Sequence, residues 1–391
     1  MPWKEVKPMD QKLLFVADHL RAMTSFSDLC HRYGISRKTG YKWVARYDEL
    51  GLEGLQDLSR RPYQHPLSTP YAVRKAIIEL RSGHRDPPGP KKIRVLLEQN
   101  HPDWDIPSKT TIYNILVEEG LIRPQRRRNR VPPGQQPFAP VHEPNDVWSA
   151  DFKGQFKTKD GIWCYPLTVM DHQSRYLLAC RNFDGTKHEP TRKAFELLFR
   201  EYGLPWRIRT DNGVPFASRS AGGLSELSKW WVRLGIMPER IEPGKPQQNG
   251  RHERMHKTLK EATAIPPAQT TQLQQQVFDG FRIRYNNERP HEGLEQKTPA
   301  SQYRPSTRSI PEKLPELEYP GHFRVNLVHH SGIINHQGHR VYIAGLLQGE
   351  KVGLEEAAED VWDVYFGPLR LGRFEMRQTA KAHNDYLKLT L

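Results

Sequence analysis

The sequence predicts a multidomain α/β protein, and three observations carry that prediction. Its 391 residues exceed what one ordinary core holds, since domains run to about 100–200 residues. Apolar residues recur at helical spacing through residues 1–122, whereas strand-like runs and helices alternate from about residue 145. Beyond residue 320 short β-like runs follow one another closely.

Composition points to a polyanionic partner. Lys and Arg outnumber Asp and Glu by 59 to 45, a net charge of +14, and the basic residues cluster rather than scatter. No run of about 18 apolar residues could span a bilayer, so no membrane is expected. The start, Met1-Pro2-Trp3-Lys4-Glu5, lacks an apolar signal core and leads us to expect a reducing cytoplasm. Cys30, Cys164 and Cys180 are widely spaced in apolar settings and are expected as core residues, not disulfides or zinc ligands.

Residues 11–21 carry Leu13, Leu14, Val16, Ala17 and Leu20 at helical spacing, and a second short helix is expected over 25–33. Gly34-Ile35 turns the chain. Ser36 is placed to N-cap a third helix to about residue 49, with Tyr41, Val44 and Tyr47 inward and Arg37, Lys38, Thr39, Lys42 and Arg46 outward. This is a helix-turn-helix pattern, whose last helix enters the major groove by its N-terminal part. Val73, Ala76, Ile77 and Leu80, then Ile93, Val95, Leu96 and Leu97, then Ile112, Ile115 and Leu116 predict a second three-helix unit. Its candidate DNA contacts are Lys91 and Lys92, at a helix start after Gly89-Pro90, and Lys109 and Thr110 behind a capping Ser108. Arg123, Arg126, Arg127, Arg128 and Arg130 then follow without an intervening acid. They predict an extended arm along a DNA groove.

In the core, strands are expected over 148–152, 163–170 and 175–181, a helix over 189–202, and a strand over 207–210 that delivers Asp211. That order sets Asp151 and Asp211 side by side. Glu253 follows Gly244-Lys245-Pro246-Gln247-Gln248-Asn249-Gly250-Arg251-His252 in the first turns of a helix, with Lys257 and Lys260 on the same face as candidate DNA contacts. Hard divalent ions take oxygen ligands, and three carboxylates brought together could hold two ions for in-line displacement at phosphorus. His252 and His256, poor ligands for Mg²⁺, are read as DNA or structural contacts. Asp171, in a hairpin turn, is read as capping its own backbone, and Glu242, before Pro243, opens no helix. A Gln-rich helix is expected over 265–287, and five short strands over 323–328, 332–343, 351–354, 361–366 and 369–374 read as a small barrel.

The order Asp151, then Asp211-Asn212-Gly213, then the Gly244 to Gly250 loop leading to Glu253, resembles the integrase core of DDE transposases of bacterial insertion sequences, relatives of retroviral integrases. Arg289-Pro290-His291 and Thr298-Pro299-Ala300 extend the resemblance downstream, and it covers roughly residues 10–306. It implies an RNase H-like core with a mixed five-stranded sheet, and Asp151, Asp211 and Glu253 as catalytic metal ligands. Also implied are two Mg²⁺ ions, with Mn²⁺ able to substitute, and double-stranded DNA partners, both element ends and target. A homo-oligomer, dimer or tetramer, on paired ends and a place at the bacterial nucleoid follow from the same likeness. One departure is that residues 217–223 lengthen the interval between Asp211 and Glu253, which could reshape the site entrance. The expected division is then residues 1–57, helix-turn-helix; 58–69, linker; 70–122, second helix-turn-helix; 123–144, basic linker; 145–306, catalytic core. A linker over 307–319, an SH3-like β-barrel over 320–380 and a tail over 381–391 complete it.

Alanine at Arg37, Lys38 or Lys42 is expected to cost about 1–3 kcal/mol of binding to the cognate element end and little on random duplex. Titration of both DNAs checks this, and an equal loss on both would rule out groove reading by that helix.

Overall fold

A computed structural model describes residues 8–57, 68–83, 85–122, 138–152, 154–218, 220–376 and 387–390. The chain divides into two units, Met1–Ser68 and Thr69–Leu391. Arg123, Arg126, Arg127, Arg128 and Arg130 lie outside the described residues.

The first unit holds α1 (Pro8–Leu20), α2 (Phe26–Arg32) and α3 (Arg37–Leu50). Ser25 and Ser36 each accept a backbone N–H three residues on, from Asp28 at 3.3 Å and Thr39 at 3.2 Å, which starts α2 and α3. Phe15, Val16, Leu29, Cys30, Trp43 and Leu55 form the core. The inward face of α3 differs from the expected one: Trp43 and Gly40 are buried, while Tyr41 is 60% exposed and stacks on Phe26. Gly40 is the reason. Its missing side chain admits Phe15, Phe26 and Cys30, and an added Cβ would sit 2.7 Å from the Cys30 sulfur. The helix therefore turns toward Gly40, with Val44 and Tyr47 packed at the margin.

The second unit opens with α4 (Tyr71–Ser82), α5 (Pro90–Asn100) and α6 (Lys109–Glu118), whose core is Val73, Ile77, Ile93, Leu97, Ile112, Ile115 and Leu116. Ser108 caps α6 by accepting from the Thr111 N–H at 3.2 Å.

An α/β layer follows: β1 (Val147–Phe152), β2 (Phe156–Lys157), β3 (Trp163–Asp171), β4 (Leu177–Phe183), α7 (His188–Tyr202), β5 (Arg207–Thr210), α8 (Glu226–Arg233), β6 (Met237–Arg240), α9 (Gly250–Thr263) and α10 (Thr271–Asn287). β1 pairs antiparallel with β3 and parallel with β5, β3 pairs antiparallel with β4, and β5 runs parallel to β6. This is the mixed sheet of the expected core. It has six strands rather than five, because the two-residue β2 pairs with Trp163 and Cys164 and is too short to show as a periodicity. α10 begins six residues later than expected, since Pro266 and Pro267 cannot donate to a helix ladder and Thr270 supplies the cap.

Helices cover both faces of the sheet. Phe195, Leu198 and Phe199 of α7 with Trp230 and Trp231 of α8 pack on Trp148, Leu167, Val169 and Ile208. On the other face Met255, Leu259 and Ala262 of α9 join Phe278, Phe281 and Tyr285 of α10 against Met170, Leu177 and the buried free thiols Cys164 and Cys180. Burying each such large side chain contributes about 1.5–3 kcal/mol.

The remaining strands are β7 (Arg324–Leu327), β8 (Ile333–His336), β9 (His339–Tyr342), β10 (Lys351–Ala358), β11 (Val361–Phe366), β12 (Leu369–Glu375) and β13 (Leu387–Lys388). They form two sheets, β12-β11-β10-β7 and β13-β9-β8, over one core that also takes Leu224 and Val232 from the α/β layer. The long interval before Glu253 contributes to this junction. Its turn Ala221–Gly223 packs on β12, with Gly222 at φ +61° so close to Leu371 that a Cβ would meet it at 2.9 Å. The lengthened loop seats the C-terminal β-domain.

α10 also covers the outer edge of β4, which would otherwise present unpaired backbone groups. The Asn286 side chain accepts from the Leu177 N–H at 2.8 Å and donates to its carbonyl at 3.0 Å, and Gln275 treats Asn182 and Cys180 alike. Asn286→Leu should keep the volume and strand both backbone groups of Leu177, costing about 2 kcal/mol or more in urea unfolding. An unchanged unfolding midpoint would mean that these edge hydrogen bonds contribute nothing.

Candidate active site

Alternation along the strands decides what each residue faces. Trp148 and Ala150 of β1 point into the core under α7 and α8, so Ser149 and Asp151 point to the α9 side. Leu167 and Val169 of β3 join the first core, and Thr168 shares the α9 side with Asp151, its partner in register. On α9, His252 and His256 lie one turn apart and turn inward, 0% and 1% exposed, while Glu253 stays at the surface.

These side chains meet at one hydroxyl. Thr168 Oγ1 donates to the Asp151 carbonyl at 3.1 Å, and Nε2 of both His252 and His256 lies 2.7 Å from it. One hydroxyl of β3 is thus shared by two imidazoles of α9 and the backbone of β1. His252 Nδ1 lies 2.7 Å from Ser149 Oγ, which also donates to the Met170 carbonyl at 3.3 Å. His256 Nδ1 is turned to Asp151, 3.6 Å from Oδ2. Among the described residues, Asp151, Glu253 and His256 offer ligand atoms that all lie within 4.8 Å of one another. A ring nitrogen and two carboxylates facing each other suit a shared cation. The carboxylates match a hard divalent ion, and the imidazole adds a softer donor.

Asp211 stands apart from that group of three. It lies just past β5, half-buried, and its Oδ1 accepts from the Gly213 N–H at 3.1 Å. β5 runs parallel to β1 with Arg209 beside Ser149, so Asp151 and Asp211 each come two residues further along neighbouring strands. The loop into α9 is fixed from beneath. Buried Gln248 accepts from the Glu242 N–H at 2.8 Å and donates to its carboxylate at 2.9 Å, while buried Arg209 pairs with Glu239 at 2.9 Å and donates to the Gln248 carbonyl. Glu242 is thereby occupied, with Lys245 as its ion partner, and this pairing holds its carboxyl below the usual range. Asp171 caps its own turn as expected, accepting from the N–H groups of Asn145 and Ser174 at 2.7 Å each.

The candidate DNA contacts are spread widely. Arg37, Lys38 and Lys42 are exposed on α3, Thr39 joins the Ser36 cap, and Arg46 lies 5.2 Å from the Trp43 ring. Lys91 pairs with Glu292, whereas Lys92 is half-buried. Lys109 and Thr110 are exposed at the start of α6; Lys257, 4.0 Å from Glu261, and Lys260 are exposed along α9. Sequence pattern alone does not single out Thr168, and it leaves His256 among DNA or structural contacts. The spacing of His256 from His252 and Glu253 is the available signal, but only the packing of α9 shows which side it faces.

Residues 141–246 and 234–299 match models described as integrase core domain. Residues 11–63 match a helix-turn-helix domain and 39–116 a homeodomain-like domain. The chain thus has the make-up of an integrase-core protein with helix-turn-helix domains. It is 29% identical over 252 residues to an uncharacterized protein of insertion element IS476 from Xanthomonas euvesicatoria, covering 63% of this chain and 69% of that protein. Identity to an uncharacterized protein of insertion element IS407 from Burkholderia multivorans is also 29%, covering 53% of this chain and 73% of that one. Among solved structures, the simian T-cell lymphotropic virus intasome aligns at 18% identity with a TM-score of 0.34, over 71% of this chain and 93% of that one. By its domain matches the chain carries an integrase-like core together with helix-turn-helix domains, and it is similar to proteins of bacterial insertion elements. Among the described residues no helix is long and apolar enough to cross a membrane.

Thr168→Val keeps the shape and removes the hydroxyl, leaving two buried imidazole nitrogens without their hydrogen-bond partner. Each such group costs about 1–3 kcal/mol, so the variant should unfold at clearly lower urea, while Thr168→Ser should recover most of the loss. Equal stability of all three proteins would show that the hydroxyl does not hold α9 to the sheet.

Proposed function

We propose that this protein is a DNA transposase that binds the terminal inverted repeats of its mobile element and catalyses 3′-end cleavage and strand transfer. The gathering of Asp151, Glu253 and His256 within 4.8 Å, with Asp151 on a strand that pairs with the one leading to Asp211, carries the reading. Asp151, Asp211 and Glu253 would hold two Mg²⁺ ions, with Mn²⁺ able to substitute. When bound, such ions activate the attacking oxygen and stabilise the leaving one.

The chain's own residues bind and orient. Thr168 and His256 fix Asp151, and Lys257 and Lys260 offer charge to a phosphodiester along the same helix that bears Glu253. Water attacks the scissile phosphorus, the bond to the element's 3′-oxygen breaks, and a 3′-hydroxyl is freed. That hydroxyl then attacks a target phosphodiester and displaces its 3′-oxygen. No covalent protein intermediate is needed. The two helix-turn-helix units recognise the element ends, and a homo-oligomer pairs them. The C-terminal β-domain, two sheets over one core, fits the small SH3-like barrel of such recombinases.

Asp151→Asn, Asp211→Asn and Glu253→Gln should each abolish cleavage and strand transfer on an element end in Mg²⁺ or Mn²⁺, with end binding nearly intact. A fully active variant would remove that residue from the site.

A further inference from the structure

A second site lies on the flank of α9, where the second helical unit, the turn between β3 and β4, and the segment after α10 converge. It is a cavity of about 310 Å³ whose lining includes Lys92 of α5, Arg175 of the turn, Arg251 and Arg254 of α9, and Arg289. None of its lining residues carries a carboxylate. Arg289 is paired with Asp86, and Arg251 donates to the His172 carbonyl at 2.6 Å. Lys92, Arg175 and Arg254 pair with none of the described carboxylates. The nearby Glu292 is engaged by Lys91.

Two histidines close the floor. His172 and His291 are 3% and 7% exposed, and His172 Nδ1, His291 Nε2 and Arg175 Nε are buried without a hydrogen-bond partner among the described residues. Buried polar atoms in folded proteins nearly always have partners, so three on residues that line one cavity mark unmet polar capacity in its wall. Positive charge is in excess there. Burial first, and then the Arg289 guanidinium, pull the Lys92 ammonium down to about 7. Burial, then the charges of Arg209 and Arg251, holds His172 down to about 3, and burial with Lys92 and Arg175 does the same for His291. α9 begins at the cavity with Gly250 and without a side-chain cap, which adds the positive end of its dipole.

An oxyanion is the chemistry that suits the cations Lys92, Arg175 and Arg254 of this lining. The volume is at the lower end of the roughly 300–1,000 Å³ of ligand pockets, too small for an extended cofactor. We propose that this cavity is a phosphate-binding site that takes a backbone phosphate of bound DNA and thereby clamps the second helical unit and the catalytic core to one strand. The assignment rests on the reading of the protein as a DNA transposase only for the source of the phosphate. It also accounts for Arg289-Pro290-His291, since His291 is set in the floor and Arg289 links the cavity to Asp86 of the second helical unit.

The test uses the full-length protein and the variants Lys92→Gln, Arg175→Gln and the pair together, none of which touches the carboxylates. Inorganic phosphate should raise the wild-type melting temperature above sodium chloride at equal ionic strength, and the double variant should lose that increment. Binding to random duplex should fall in the double variant, with a salt slope lower by about 0.9 because one fewer phosphate is neutralised. No phosphate-specific increment in the wild type, or one that persists in the double variant, would overturn the site. A phosphate increment absent from the variant, with duplex affinity and slope unchanged, would overturn DNA as the source. Should the wild type fail to bind DNA at all, the transposase reading fails while the phosphate increment still reports on the cavity.

Discussion

The hydroxyl of Thr168 joins the helix of Glu253 to the strand of Asp151, and the candidate site depends on that joint. Two imidazoles from successive turns of α9 hydrogen-bond to it, and it also reaches the Asp151 carbonyl. In a buried setting such bonds are directional and costly to leave unmade, so they set the rotation of α9 about its axis more narrowly than apolar packing alone. With that rotation set, Glu253 emerges at the rim beside Asp151, and Lys257 and Lys260 continue outward from it.

Around this joint the protein is assembled by polar clamps laid over apolar cores. Asn286 and Gln275 close the edge of β4, Gln248 and Glu242 brace the loop into α9, and Asp86 links the second helical unit to Arg284 and Arg289. The insertion between Asp211 and Glu253 works in the same sense, since its turn packs on Leu371 and its neighbour Leu224 enters the core of the C-terminal β-domain. The α/β layer thereby holds both the second helical unit and the C-terminal β-domain.

Much was legible in the sequence because it was local. Ser36 and Ser108 capping their helices, strands β1, β3, β4 and β5 with α7 before the last of them, the buried thiols and the self-capping Asp171 all follow from short-range pattern and side-chain chemistry. Asp151 and Asp211 on adjacent parallel strands follow from topology, which the order of elements implies. Where local pattern misled, a specific interaction overrode it. Gly40 drew Phe15, Phe26 and Cys30 inward and turned Tyr41 to the surface, and the Pro266-Pro267 pair delayed α10.

By itself, then, the sequence determined most of the elements, their order and the spacing of Asp151, Asp211 and Glu253, because periodicity, capping and strand alternation act over a few residues, whereas β2, α8 and β6 emerged only in the structure. Tertiary structure alone decided which way the histidines of α9 point, that the loop before Glu253 seats the β-domain, and that Lys92, Arg175, Arg254 and His291 surround one cavity. Those relations join residues scores of positions apart. They are set by how helices rotate and pack on the sheet, which no local pattern encodes.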